Sequence, residues 1–205
     1  MLPSGPFETN CYVADCNDGK AIIIDPAPDS FSKIKNILEK HKLTPIALLL
    51  THSHWDHIGD VSKVKAEYDI PVYIHPRDVD NLTHPGSDGL PCWILIQGVT
   101  PEILFKGEET LLFNHLECRV IETPGHTPGG VCFYFPKENV LFSGDTLFQG
   151  SIGNLSFATA RPDEMWPSLK KLSLLPPHTA VYPGHGGATS IQGEPWLPNA
   201  EQIFS

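Results

Sequence analysis

The sequence predicts an α/β protein whose elements are compatible with a two-sheet αββα sandwich. Three observations lead there. Between residues 46 and 74 an apolar run, a helical stretch and a second apolar run alternate as strand, helix and strand. Between residues 103 and 148 several β-rich runs follow one another with no helical period. The order of strands and then a helix occurs in both halves of the chain.

Taken in order, residues 11–15 and 20–24 are β-rich and flank Asn17-Asp18-Gly19, which predicts an N-terminal hairpin ended by Asp25-Pro26. Asp25 lies at a strand end. It is either a turn-initiating Asp-Pro or a carboxylate that orients a neighbouring loop. From residue 30 to 41, Phe31, Ile34, Ile37 and Leu38 recur at helical spacing, and Pro45 closes the unit. Residues 46–50 read as a buried strand, 60–68 as a helix with Asp60 as a cap, and 72–74 as a short strand. His75 and Arg77 follow it as loop residues. Residues 81–101 are irregular and rich in Gly, Pro, Ser and Asp, as in a lid or binding loop. Trp93 stands in it either as a cover for substrate or as ordinary packing under the loop. Residues 110–113, 116–121, 131–135 and 140–142 read as a meander of antiparallel strands. A helix over 164–172 has Pro167 in its first turns, a strand at 179–182 follows, and the tail after Ile191 reads as a surface segment.

The 205 residues carry 14 basic against 24 acidic side chains, a formal net charge of −10, and suit a single domain over 1–205. No Lys/Arg cluster interrupts the acidic balance, so no nucleic-acid partner is expected. The five cysteines are an odd number without C-x-x-C spacing, so reduced thiols are expected. No signal peptide is legible at the N-terminus and no apolar run approaches the roughly 20 residues of a spanning helix, so the expectation is a cytoplasmic protein without a membrane partner.

The chemistry concentrates in His52-Ser53-His54-Trp55-Asp56-His57, on a turn between the strand over 46–50 and the helix after Asp60. In extended backbone His52 and His54 project to one side. The adjacent Asp56 and His57 cannot both point there as well. One metal can take His52 and His54, and a neighbouring metal can take Asp56 and His57. The competing reading is a polar loop with solvated histidines. Imidazole and carboxylate are the ligands of zinc and iron sites, which favours the metal reading. Three further strand ends carry a His or Asp directly after glycine: Gly125-His126, Gly144-Asp145 and Gly184-His185.

These motifs resemble those of the metallo-β-lactamase-fold superfamily over nearly the whole chain. Thr123-Pro124-Gly125-His126-Thr127-Pro128-Gly129 and Phe142-Ser143-Gly144-Asp145-Thr146-Leu147-Phe148 are most similar to its hydroxyacylglutathione hydrolase (glyoxalase II-like) branch, and the length resembles the short bacterial type. The resemblance implies a four-layer αββα sandwich of two mixed β-sheets flanked by helices. It implies that His52, His54 and His126 hold one metal, that Asp56, His57 and His185 hold a second, and that Asp145 bridges them. It also separates the chain from true β-lactamases of the fold, which lack the bridging aspartate. Relatives carry Arg and Asp where this chain has Asn154 and Ser156, which departs from glutathione-thioester recognition. Trp93, Phe148 and Asn154 are the candidate substrate-binding residues.

The expected activity is metal-dependent hydrolysis of a small-molecule thioester or ester, with S-lactoylglutathione as the candidate. A hydroxide bridging two divalent ions would attack the carbonyl, with Asp56 as metal ligand and catalytic residue aligning it. Zinc fits the donor set best, and iron or manganese also fit. Two rivals stand: a mononuclear-iron persulfide dioxygenase of the same fold, and a non-catalytic metal-binding protein.

Overall fold

The computed structural model describes residues Met1 to Ser205. The N-terminal hairpin extends beyond its expected bounds. β1 (Leu2–Ser4) pairs antiparallel with β2 (Thr9–Asp15), and β2 with β3 (Lys20–Ile24). The chain then forms α1 (Phe31–His41), β4 (Thr44–Leu49), a single turn α2 (Trp55–Ile58), α3 (Val61–Tyr68) and β5 (Val72–Ile74). A short α4 (Val79–Thr83) precedes the irregular segment, and β6 (Ile103–Leu104) follows it. β3, β4, β5 and β6 are parallel neighbours, so the first sheet is mixed, in the order β1-β2-β3-β4-β5-β6.

The second sheet opens with the expected meander: β7 (Thr110–Phe113), β8 (Leu116–Glu122), β9 (Val131–Phe135) and β10 (Val140–Gly144), each antiparallel to the one before. A small hairpin of β11 (Leu147–Phe148) and β12 (Ser151–Ile152) leads to α5 (Pro162–Leu172). α5 crosses over, so β13 (Ala180–Pro183) lies parallel beside β10, and β14 (Thr189–Ser190) forms the edge. That parallel pair makes the second sheet mixed, as a crossover helix allows and a hairpin does not.

Side-chain alternation along β3 shows how four layers arise. Ile23 faces one way, into a core with Leu48, Leu50 and the α1 and α3 residues Ile34, Leu38, Val61 and Val64. Ile22 and Ile24 face the other way, into an inter-sheet core with Leu49, Phe105, Phe133 and Phe142. A third core joins Leu141 and Val181 of the second sheet to Met165, Leu169 and Leu172 of α5. Both faces of the central strands are covered, so they read as unbroken apolar runs rather than as alternating ones.

Two expectations are corrected. The tail is no surface segment: Ile191, Leu197 and Ala200 are buried against the α5 core, and α6 (Ala200–Phe204) closes the chain. Its prolines mislead because Pro195 lies in a turn and Pro198 in a single 3₁₀ turn, Leu197–Asn199, rather than in open coil. Asp60 stands at the start of α3 but does not cap it. Its Oδ2 accepts the Phe31 N–H at 2.9 Å and so caps α1, while Oδ1 pairs with Lys63 at 2.6 Å. Asp60→Ala is therefore expected to destabilise the fold by about 1–2 kcal/mol. For a chain of this size that is a melting-point drop of roughly 2–8 °C. Calorimetry showing no change would refute the cap.

Candidate metal centre

His52 and His54 follow β4, and Asp56 and His57 lie on α2. His126 follows β8, Asp145 follows β10 and His185 follows β13. All seven side chains thus sit beyond the carboxyl ends of strands, where α/β sheets place their ligands. The two sheets are laced together there: Asn10 N–H donates to Gly184 O at 2.7 Å and Val131 N–H to Thr51 O at 2.9 Å.

The seven side chains converge. Ligand atoms of His52, His54 and His126 lie within 4.8 Å of one another, and so do those of Asp56, His57 and His185. Asp145 stands between the groups, with Oδ1 3.3 Å from His57 Nε2 and Oδ2 3.4 Å from His126 Nε2 and 3.5 Å from His185 Nε2. Asp56 Oδ2 is 3.2 Å from His185 Nε2 and accepts from Thr9 Oγ1 at 2.7 Å. Asp25, His52 and His57 form a third close group. Asp25 is committed elsewhere, however, so this is not a third binding set.

Asp25 accepts Thr51 N–H at 2.8 Å, Thr51 Oγ1–H at 2.6 Å and His57 Nδ1–H at 2.9 Å. The open reading of Asp25 is thereby decided: it orients the ligand loop. Thr51 gives its hydroxyl hydrogen to Asp25, so its oxygen accepts from His52 Nδ1 at 3.1 Å. His126 Nδ1 donates to Asn154 O at 2.9 Å and His185 Nδ1 to Phe7 O at 3.1 Å. Four rings are thus turned by their Nδ1–H groups, which leaves each Nε2 facing the centre.

Five inward atoms lack a hydrogen-bond partner in the protein. Nε2 of His52, His54, His57 and His126, and Oδ1 of Asp145, are buried without a hydrogen bond. Orphaned polar atoms normally cost stability, and five facing one another in one place call for a shared cation. The charge balance agrees. Burial holds His52 well below the usual imidazole range and brings His54 to about 3. Burial would raise Asp56, but His57 and the hydrogen bond with His185 outweigh it and bring it to about 2. Asp145 is likewise held well below the carboxylate range, chiefly by His57, against the effect of burial. Burial opposes protonation of His57 and His185, yet Asp56 and Asp145 raise both, His185 to about 9. Cations bound there displace those protons.

Glycine is needed at two of these turns. Gly144 has φ +49°, and a Cβ on it would stand 2.5 Å from Thr51 Oγ1. A Cβ on Gly184 would run into Asp145 Oδ1.

The sequence did not reveal every supporting residue. Buried Asp78 accepts Ser53 N–H at 3.0 Å and Gly129 N–H at 2.7 Å, so it ties the first ligand loop to the loop of His126. Its sequence surroundings, Pro76-Arg77-Asp78, carry no signal of this. His75 lies in a loop as expected, but it is buried there and pairs with Glu122 at 3.1 Å. Above the centre a cleft of about 210 Å³ is lined by Phe7, Trp55, Leu90, Phe148, Asn154 and Phe157. Of the three substrate-binding candidates, Phe148 and Asn154 thus line the cleft. Trp93 does not; it packs on the outer side of Phe7 and Trp55, at ring distances of 5.9 and 5.7 Å. A roomier apolar cavity of about 300 Å³, bounded by Tyr12, Leu116 and Phe135, contains none of the seven side chains, so volume alone does not mark the site.

Comparison with known proteins fits this geometry. A Bacillus subtilis (strain 168) protein named probable metallo-hydrolase YqgX is 34% identical over 196 residues, covering 94% of this chain and 92% of its own. A hydroxyacylglutathione hydrolase of Wigglesworthia glossinidia brevipalpis is 39% identical over 170 residues, covering 82% of this chain and 58% of its own. The crystal structure of the BLEG-1 B3 metallo-beta-lactamase superposes with TM-score 0.88 at 38% identity, covering 96% of this chain and 97% of that one. That of TTHA1623 in a di-iron-bound form superposes with TM-score 0.81 at 37% identity, covering 94% and 95%. No helix is long and apolar enough to cross a membrane. The metallo-beta-lactamase superfamily model matches residues 4–185, a span that runs from the first strand to the last of the seven converging side chains, and the chain belongs to that superfamily.

Proposed function

We propose that the protein is a binuclear metal-dependent hydrolase of a thioester or ester. The observation that carries this reading is the set of five orphaned buried donor atoms facing one another across Asp145. His52, His54 and His126 would hold one cation, Asp56, His57 and His185 the other, and Asp145 both. When bound, a pair of divalent ions supplies Lewis acidity and brings the pKa of water toward neutrality. Zinc suits these donors, and iron is supported by the di-iron form of TTHA1623.

The protein's own part is positioning. Asp56 is ionised at neutral pH and held by Thr9, so its carboxylate orients the attacking water from a fixed place. The water oxygen bonds to the carbonyl carbon and the carbon–sulfur bond breaks. Sulfur leaves with the electron pair, and the proton from water goes to solvent. A thiol of pKa about 8.5 leaves without a general acid, so the absence of a separate acid in the cleft is no obstacle. The phenyl and indole walls keep bulk water from the acyl group.

A reading with a single iron leaves the Asp56, His57 and His185 group without a role. A purely structural site needs about four closed ligands and no cleft. S-lactoylglutathione is the first probe, given the Wigglesworthia relative. A β-lactam is the second, given the B3 metallo-beta-lactamase neighbour, which brings that class back among the candidates. Elemental analysis of protein purified without added metal is expected to give two equivalents per chain, and chelation to abolish thioester hydrolysis. A single equivalent of iron, with oxygen uptake, would overturn the proposal.

A further inference from the structure

The cleft over the seven side chains is walled by Phe7, Trp55, Leu90, Phe148 and Phe157, and no Lys or Arg lines it. Its fixed charges are those of the centre itself. The basic Arg77 lines a neighbouring polar cleft that shares only His54 with this one, and its guanidinium is engaged there by Glu164 Oε2 at 3.3 Å and Pro128 O at 3.4 Å. An anionic leaving group such as glutathione, with two carboxylates, finds no cation among the cleft walls.

The apolar wall continues outward. Phe7 and Trp55 meet at 5.1 Å, and Trp93 closes a triad with both. Phe7 is 48% exposed, Trp93 70%, Ile94 39% and Leu95 fully exposed. Beyond Ile94 and Leu95 the apolar wall ends in a mostly polar depression lined by Asp29, Asp60, Ser62 and Lys63. Isolated apolar side chains on a surface are ordinary, but a contiguous group that leads into a cleft marks a binding surface.

We propose that the substrate is a thioester or ester with an extended apolar acyl chain, which runs from the metal centre over the exposed Phe7 ring and across Trp93 toward Ile94. This rests on the hydrolase reading and specifies its substrate class. The occupant is the substrate's own chain because the patch is continuous with the cleft through Phe7, which lines the cleft and touches Trp93.

The test uses N-acetylcysteamine thioesters from acetyl to octanoyl, S-lactoylglutathione, and the matching thioethers, in which a methylene replaces the carbonyl. Full transfer of a methylene from water is worth about fourfold, and a half-open wall about twofold, so kcat/KM is expected to rise on the order of 50-fold from acetyl to octanoyl. Trp93→Ala is expected to lower the octanoyl-to-acetyl ratio about tenfold. Thioether binding, followed by tryptophan fluorescence, should strengthen along the same series. Thioether binding that strengthens with chain length while no thioester is hydrolysed would support the apolar site and remove the hydrolase. Preference for S-lactoylglutathione over octanoyl, or a flat series, would overturn the acyl-chain proposal and leave the hydrolase standing. If Trp93→Ala and Leu95→Ser changed the oligomeric state by light scattering while the chain-length slope stayed intact, the patch would be a contact between copies and the proposal would fall.

Discussion

Replacing Asp145 by alanine is expected to lower kcat/KM on the order of 10³-fold while the chain stays folded. Asp145 reaches His57 with one oxygen and His126 and His185 with the other. In the proposed binuclear site its loss would leave two cations close together without the carboxylate that neutralises them. Lewis-acid stabilisation of an acyl-transfer transition state is worth several kcal/mol. About 4 kcal/mol corresponds to the expected thousandfold. His54→Ala is expected to act comparably through the other route, by opening the His52, His54 and His126 set. Metal analysis should then show a fall from two equivalents toward one in both variants, with circular dichroism unchanged. Wild-type turnover with two metals retained in either variant would defeat the assignment.

The second large effect belongs to a residue that touches no substrate. Asp25 is buried and accepts three hydrogen bonds, two from Thr51 and one from His57. It does so from the left-handed region, at φ +48°, where aspartate is tolerated better than most residues. Asp25→Ala strands the Thr51 N–H and the His57 Nδ1–H in the interior. The expected cost is about 3–5 kcal/mol. That is a melting-point loss of roughly 6–20 °C for a chain of this length. Because the His57 ring loses the group that turns it, metal affinity is expected to weaken about 10–100-fold as well. Asp25→Asn keeps the backbone preference and one acceptor, so it should fall between the two. Calorimetry and a metal titration that both match the wild type would show that Asp25 is only a turn residue.

The family-level reading was legible because its signals are local. Four donors within six residues, between a strand and a helix, need no tertiary knowledge to be noticed. The longer strands and α5 were legible from period and turn chemistry, with boundaries moved by a residue or two, whereas β1, β6, β11, β12 and β14, of two or three residues each, are too short to show a period. The helical turn α2 inside the ligand motif was not, because four residues are shorter than one helical hydrophobic period can be read from. The tail misled through its prolines, whose turns carry Leu197 and Ala200 onto a helix no local pattern points to.

What the chain's order of residues determined was the donor set, the alternation of elements and the resemblance that follows from them, since donor chemistry and side-chain period are properties of neighbours in sequence. What only the folded structure decided was convergence and support. Asp25 turns His57 from 32 positions away, Asp78 joins two ligand loops across 51, and Thr9 holds Asp56 across 47. Phe7 reaches Trp55, and Trp93 joins them from a loop of its own. Such pairings depend on which strand ends the two sheets bring face to face. That is set by burial of three apolar layers at once, and no short stretch of sequence records it.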